Sequence, residues 1–477
     1  MNQQPNSPHT QNRAWRRRCA AVLFWLVVWQ AAAMRMDLPL FFPTPLEALR
    51  RFFELLLEGA LFGPVLRSTA RIMGGYLLSF AAALLLGAAA HRFAPVRALL
   101  EPLLLAVRTV PVVSFVILAL ICLPSRLLSV LISFLMVLPI LTGAVIEGLD
   151  RLDPTLTDMA TLFRVPPLRR LRCIDLPQLL PTLTAAARRA VGFAWKSGAA
   201  AEVIGIPAGS IGEKLQRAKV YLMTSDLFAW TLMIVLMSVL TEALVGALFK
   251  ALTKSTRRLK IETGAPAAAT THPAAARFTQ CPAASLTITG LCKSYDGASV
   301  LTDFTLTCPP GTRTALMAPS GAGKTTLLRL AEGLEQPDSG QITWQNGESD
   351  NNVCLCTLFQ EDALVPGLSA IQNICLTAPH LTRAEALQAL DRVGLAEDAD
   401  RPVSEYSGGM KRRTALLRAL LSEGSAVLLD EPFKGLDEES RKQTVQTVDA
   451  LLAGRTLLLV THDRRDAEDL SARIVTL

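Results

Sequence analysis

The apolar residues of this chain are concentrated in its first half, in runs near the ~20 residues that a helix needs to cross a bilayer. A chain crossing lipid must satisfy its own backbone N–H and C=O groups, which leaves helices or a closed barrel. A first apolar run at 19–34 is followed by five more, at 65–90, 99–123, 127–146, 185–206 and 227–249. They predict an all-α bundle of about six spans, with a kink in the third at Pro102 and Pro111. Of the 477 residues, 51% are hydrophobic, and the mean hydropathy of +0.34 is high for a soluble enzyme. The second half lacks such runs and reads as a soluble domain.

The basic residues orient the bundle. Arg13, Arg16, Arg17 and Arg18 precede the first run, after a polar stretch at 1–12 that predicts disorder. His91, Arg92 and Arg97 follow the second, and Arg151, Arg164, Arg169, Arg170 and Arg172 lie between the fourth and fifth. Lys250, Lys254, Arg257, Arg258 and Lys260 follow the last. Six spans put all four groups on one side, the cytoplasmic one by the positive-inside rule, while the three basic residues of 207–226 fit less well. A signal peptide cleaved at Ala31-Ala32-Ala33 is an alternative that leaves the downstream topology unchanged. The net charge of +7 is thus explained by membrane flanks, and no aromatic–basic interleaving points to nucleic acid. The nine cysteines show no CxxC pair and read as reduced and structural.

Charges inside a span often face a cavity or a partner. In the fifth run Arg188 and Arg189 are placed to snorkel at the cytoplasmic end. Lys196 and Glu202 are about 240° apart on a helix, which argues against a pair and leaves Lys196 as the candidate pathway charge.

In the second half, the stretch Ala318-Pro319-Ser320-Gly321-Ala322-Gly323-Lys324-Thr325-Thr326 follows a short apolar run and precedes a helical pattern. Strand, glycine-bearing loop and helix make a phosphate cradle. Loop N–H groups would surround a polyphosphate, Lys324 would neutralise its outer phosphates, and Thr325 would give a hydroxyl to Mg²⁺. Ala318 stands where the usual G-x-x-x-x-G-K-[ST] pattern has its first glycine; alanine resists a positive φ by roughly 1 kcal/mol or more.

Between the fourth and fifth runs, Asp158-Met159-Ala160-Thr161-Leu162-Phe163-Arg164 and then Ile174-Asp175-Leu176-Pro177 suit a short helix docking on another protein surface. Here the chain resembles the permeases of bacterial ABC importers, whose E-A-A-x-x-x-G and I-x-L-P loop inserts into the ATPase. Asp158, Met159 and Arg164 depart from that motif. Leu38-Pro39, Pro43-Thr44-Pro45, Arg108-Thr109-Val110-Pro111 and Gly209-Ser210-Ile211-Gly212 resemble the nitrate, sulfonate and taurine branch.

From Leu286 onward the chain resembles an ABC nucleotide-binding domain. The resemblance implies that Tyr295 stacks on adenine, that Ser320, Gly321, Ala322, Gly323, Lys324, Thr325 and Thr326 hold the phosphates, and that Gln360 is the glutamine touching Mg²⁺ and water. Tyr406-Ser407-Gly408-Gly409-Met410 resembles the signature L-S-G-G-Q, through which Ser407, Gly408 and Gly409 serve ATP bound by the opposing subunit. Ala426 to Leu429 read as a buried strand ending in Asp430, a Mg²⁺ ligand, and Glu431, the general base. Gly435-Leu436-Asp437 resembles the D-loop, and His462 the switch histidine at the γ-phosphate.

The expected organisation is a tail at 1–18, a permease at 19–260, a flexible linker at 261–285 rich in Ala, Thr and Pro, and the ATPase at 286–477. The resemblance implies a fused half-transporter in the bacterial inner membrane, with its ATPase in the cytoplasm. Two copies would couple ATP hydrolysis to import of a small solute, such as a sulfonate, taurine or nitrate, delivered by an extracytoplasmic solute-binding protein. An exporter and a membrane-anchored regulatory ATPase are the alternatives.

Overall fold

The computed structural model describes residues 8–36, 41–257, 282–319, 321–346 and 353–477. The chain divides into two units, Met1–Arg151 with Leu179–Leu252, and Leu152–Gln178 with Thr253–Leu477. Its helices begin with α1 (Pro8–Met36), α2 (Pro45–Leu57), α3 (Phe62–Arg92), α4 (Ala94–Thr109), α5 (Val112–Cys122) and α6 (Ser125–Asp150). Then come α7 (Pro154–Leu162), α8 (Pro167–Arg170) with a π-turn at Leu171–Asp175, α9 (Leu176–Gly205), α10 (Ile211–Val220) and α11 (Thr224–Arg257).

Residues 8–12, expected to be disordered, are helical. Pro8 opens α1, and proline suits a first helical position because its missing N–H has no partner there anyway. Among the described residues α3, α6 and α11 are long and apolar enough to cross a membrane. The third expected span is two helices, α4 and α5, meeting at 102°. Val110 is extended before Pro111, as a residue preceding proline prefers, whereas Pro102 lies inside α4. The apolar part of α1, Ala20–Met36, is shorter than a span. α9 is 30 residues long, but Arg188, Arg189, Lys196 and Glu202 keep it from qualifying on hydropathy.

In the first unit small residues let helices approach. A Cβ on Gly75 of α3 would stand 2.3 Å from the Val130 carbonyl of α6, and one on Gly87 2.6 Å from Val145. One on Gly198 of α9 would stand 2.5 Å from Ser133 Oγ and 2.7 Å from Ile72. Polar cross-links join the same helices: Tyr76 Oη donates to the Ala187 carbonyl at 3.3 Å, Ser133 Oγ to Ala194 at 3.2 Å, and Trp195 Nε1 to Thr241 Oγ1 at 2.9 Å. Glu202 is fully buried, accepting from Ser68 Oγ at 2.6 Å with Arg71 at 3.8 Å, and it makes no pair with the exposed Lys196. Arg188 has a partner besides solvent, Glu242 of α11 at 2.9 Å.

The second unit carries two sheets. β1 (Ser285–Tyr295), β2 (Ala298–Cys308) and β4 (Ser339–Gln345) form an antiparallel sheet in the order β2-β1-β4. β3 (Arg313–Met317), β5 (Leu355–Leu358), β6 (Ala426–Asp430), β7 (Thr456–Thr461) and β8 (Arg473–Thr476) form a parallel sheet in the order β5-β6-β7-β3-β8. β6 and β7 are buried at every position, so they read as unbroken apolar runs rather than alternations. Around them lie α12 (Lys324–Ala331), α13 (Ala370–Thr377), α14 (Arg383–Arg392), α15 (Gly408–Leu421), α16 (Glu438–Leu452) and α17 (Arg464–Asp469). Of the expected linker, 261–281 lies outside the described residues, while Ala284 is already buried and Ser285 begins β1. The seven described cysteines form no disulfide with one another.

The neighbours Gly74 and Gly75 separate packing from propensity, because a Cβ on Gly74 meets nothing within 4 Å. Gly75→Leu should destabilise the detergent-solubilised protein by ~1–3 kcal/mol through overpacking. Gly74→Leu should be neutral or slightly stabilising, and thermal unfolding of the pair reads the difference.

Candidate functional site

Three adjacent parallel strands, β6, β7 and β3, bring their carboxyl ends to one edge of the sheet, and the segments after them build the site. After β3 comes the glycine loop. Gly321 (φ 85°) and Gly323 (φ 87°) occupy the left-handed region, and a Cβ on Gly323 would stand 2.8 Å from Val300 Cγ1. Ala318 is not among the residues with positive φ, so alanine strains nothing there. Ser320 lies outside the described residues. Ala322 is half-buried, its N–H donating to the Pro319 carbonyl at 3.3 Å.

Lys324 opens α12 and is buried, its Nζ donating to the Ala318 and Pro319 carbonyls at 2.6 and 2.9 Å. Thr325 Oγ1 lies 3.4 Å from both Gln360 Oε1 and Asp430 Oδ2. Tyr295, Lys324, Thr325, Thr326, Gln360, Asp430 and Glu431 line one pocket of ≈ 350 Å³. Tyr295 stands 42% exposed at its edge, the exposure a stacking platform needs, and its hydroxyl bonds Glu335.

The two carboxylates at the end of β6 differ in environment. Burial, and then the adjacent Glu431 charge, push Asp430 up to about 6. Burial also opposes the Glu431 charge, but bonds from Lys434 (2.8 Å) and His462 Nδ1 (3.0 Å) outweigh it and hold that carboxyl below its ordinary range. Glu431 is left-handed at φ 46°, a strained conformation for a non-glycine residue. Its N–H still reaches the Val460 carbonyl of β7 at 2.8 Å, while its side chain turns toward His462, which follows β7.

The signature residues are not brought to this pocket. Ser407 caps α15, accepting from Met410 N at 3.4 Å, and Gly409 lies beside Gly435 and Leu436. Tyr406, where the motif usually has leucine, is buried with its hydroxyl on the Asp398 carbonyl.

Two arginines escaped the sequence reading. Arg412, two residues beyond Met410, is buried and donates to the carbonyls of Phe359 (2.8 Å), Gln360 (3.3 Å), Asp430 and Glu431 (3.1 Å), with Asp362 at 3.0 Å. Arg329 of α12 donates to Glu335 at 2.5 Å and to Asp158 of α7 at 3.0 Å. The hint in the sequence was, for Arg329, a charge amid the apolar helical residues Leu327, Leu328 and Leu330, whereas Arg412 stands between Lys411 and Arg413 and gave none. α7 itself is seated in the second unit, where Leu156, Met159, Ala160 and Ile174 share a core with Ala363, Val365, Leu368 and Leu376. Arg164, where the importer motif has glycine, has φ 49°, so that position does demand a left-handed residue.

Comparison with known proteins follows this division. Residues 75–258 match the model for the inner-membrane component of binding-protein-dependent transport systems, and residues 301–434 match the model for ABC transporters. The chain is 43% identical over 195 residues to the aliphatic sulfonates import ATP-binding protein SsuB 1 of Rhodococcus jostii (strain RHA1), covering 40% of this chain and 78% of that protein. The chain belongs to the ABC transporters. It joins an importer permease and its ATP-hydrolysing domain in one polypeptide, a membrane protein coupling hydrolysis to transport. The SsuB 2 counterpart of Agrobacterium fabrum (strain C58 / ATCC 33970) is 39% identical over 197 residues, covering 41% of the transporter and 76% of that relative. A spermidine/putrescine import ATP-binding protein of Mesoplasma florum (strain ATCC 33453 / NBRC 100688 / NCTC 11704 / L1) is 35% identical over 204 residues, covering 40% of the transporter and 58% of the relative.

The backbone of the transporter's glycine loop makes a contrast. Ala318→Gly should leave the KM for ATP and kcat within about two-fold, since no positive φ is relieved. Gly323→Ala should cut hydrolysis at least about tenfold through its strained φ and the Val300 contact, measured as phosphate release.

Proposed function

We propose that two copies of this chain form an importer for a small anion of the sulfonate class in the bacterial inner membrane, fed by an extracytoplasmic solute-binding protein. The ATPase units would lie in the cytoplasm. The observation that carries coupling is the seating of α7, with Asp158 on Arg329, in the same unit as the nucleotide pocket. Arg329 lies in α12, the helix that opens at Lys324 of the glycine loop, so a change at the phosphates has a short rigid path to the loop between α6 and α9. The solute class is supported by relatives named for aliphatic sulfonate import.

In this reading Gly321, Ala322, Gly323, Lys324, Thr325 and Thr326, with Ser320, hold the ATP phosphates, and Tyr295 stacks on the base. Glu431 takes a proton from the attacking water, oriented by His462 and Gln360. A hydroxyl, an amide oxygen and a carboxylate converge at Thr325, Gln360 and Asp430, the hard oxygen donors that suit Mg²⁺ with phosphate. Bound there, the ion would neutralise charge on the transferred phosphoryl group. Ser407, Gly408 and Gly409, at the N-terminus of α15 and away from the pocket, would complete the ATP site of the second copy.

Wild-type protein in lipid should hydrolyse ATP faster only with a solute-loaded sulfonate-binding protein, and Glu431→Gln should reduce the rate ~10²–10⁴-fold. Hydrolysis indifferent to every binding protein would favour an exporter or a regulatory ATPase. The Asp430 proton supplies a second test. Below pH about 6 the carboxyl is protonated and cannot ligate, so a proton and the metal compete for it. The Mg²⁺ concentration for half-maximal hydrolysis should be roughly tenfold higher at pH 5 than at pH 7.5, with activity recovering in excess Mg²⁺.

A further inference from the structure

We infer that the open face of α9 lines an anion path through the membrane unit, with Lys196 as its binding charge and Arg189 as the next charge toward the basic loops. The same face of a second copy would form the opposite wall, so the inference rests on the two-copy importer proposed above. α9 is engaged on three sides: Ser68, Ile72 and Tyr76 of α3 meet it on one, Ser133 of α6 on another, and Thr241 and Glu242 of α11 on the third. Among the residues it leaves exposed, Arg189, Phe193, Lys196, Ala200 and Ile204 recur at helical spacing on one face. Beside them Gly192 has open space where a Cβ would stand.

Arg189 and Lys196 are seven residues apart, two turns, which sets them in line ~10 Å apart along the helix. Neither has a carboxylate within ion-pair distance among the described residues. Glu202 points into the bundle toward Ser68 and Arg71, and Glu242 is taken by Arg188. Lys196 is also ~10 Å or more along the axis from Arg189 on one side and from the end of α9 at Gly205 on the other. An ammonium at that depth facing acyl chains is strongly disfavoured, so the face has to meet water, a counter-charge or both. A small anion supplies the missing counter-charge without staying. It can bind at Lys196, pass to Arg189, and leave where the loops are basic. Gly192 and Ala200 leave the room beside Lys196 that an oxyanion such as a sulfonate needs.

The test uses the full chain in proteoliposomes with Ala200→Cys as a reporter about one turn from Lys196. Its reaction with an anionic and a cationic water-soluble thiosulfonate is read at residue 200 by mass spectrometry, so that native cysteines do not interfere. Retained ATP hydrolysis shows that each variant is folded. The reporter should react with both reagents and favour the anionic one. The anionic-to-cationic rate ratio should fall at least about three-fold on adding Lys196→Met and be kept by Lys196→Arg. Reaction with a lipid-soluble maleimide alone would place the face against acyl chains and overturn the inference, as would a ratio indifferent to Lys196→Met. Sulfonate uptake separates the two readings. Uptake unchanged by Lys196→Met would overturn the path and leave the import reading standing. A Lys196-dependent ratio in a protein that takes up no sulfonate with any binding protein supports the path and removes the sulfonate assignment.

Discussion

The candidate nucleotide site is held together by one buried guanidinium. Arg412 reaches the carbonyls of Phe359 and Gln360 with one arm and those of Asp430 and Glu431 with the other, and it pairs with Asp362. Charge-assisted hydrogen bonds of this kind contribute ~1.5–3 kcal/mol each, and the fork geometry lets one side chain satisfy several acceptors at fixed angles. The consequence is positional. Gln360 lies on an exposed turn and Asp430 at the end of a buried strand, and Arg412 sets how far apart their backbones sit. Thr325 then finds both within 3.4 Å.

Around that fixed point the charges are graded. Asp430 is buried next to a like charge and holds a proton more readily than a free aspartate, whereas Glu431 is held ionised by Lys434 and His462. Two adjacent carboxylates therefore have different affinities for protons, which suits one to a metal and the other to a water. The left-handed backbone at Glu431 aims one side chain away from the strand direction of the other. Arg329 carries the arrangement outward, because α12 begins at Lys324 in the glycine loop and presents Arg329 to Asp158.

What could be read from the sequence was whatever is local. The glycine loop, the buried strand before Asp430 and the helix-spaced Met159 and Leu162 are short-range patterns, and each forms the expected element. Backbone angles were less readable. Ala318 looked strained by analogy with glycine, yet the positive φ values fall at Gly321 and Gly323, while Arg164 does adopt one. Pro111 announced a disturbance in the third span but not its size, since a 102° break depends on the helices packed around it. α9 was readable as a helix but not its burial pattern, because Glu202 is masked by partners from Ser68 and Arg71, more than 100 residues earlier. Arg412 and Arg329 failed to stand out for the same reason: their value lies in acceptors distant along the chain.

The seating of α7 has a consequence for the protein's independence from its relatives. Asp158 and Arg329 are encoded in one polypeptide, as are Met159 and the apolar residues around it. In a transporter assembled from separate genes, a change on either side of such a joint must stay compatible with subunits shared among several permeases. Here both sides are inherited together, so shape and charge at the joint are free to drift as a matched set. The departures from the importer motif at Asp158, Met159 and Arg164 are the kind of drift that this linkage tolerates. The joint thereby becomes a private one, insulated from the other ATPases of the same cell.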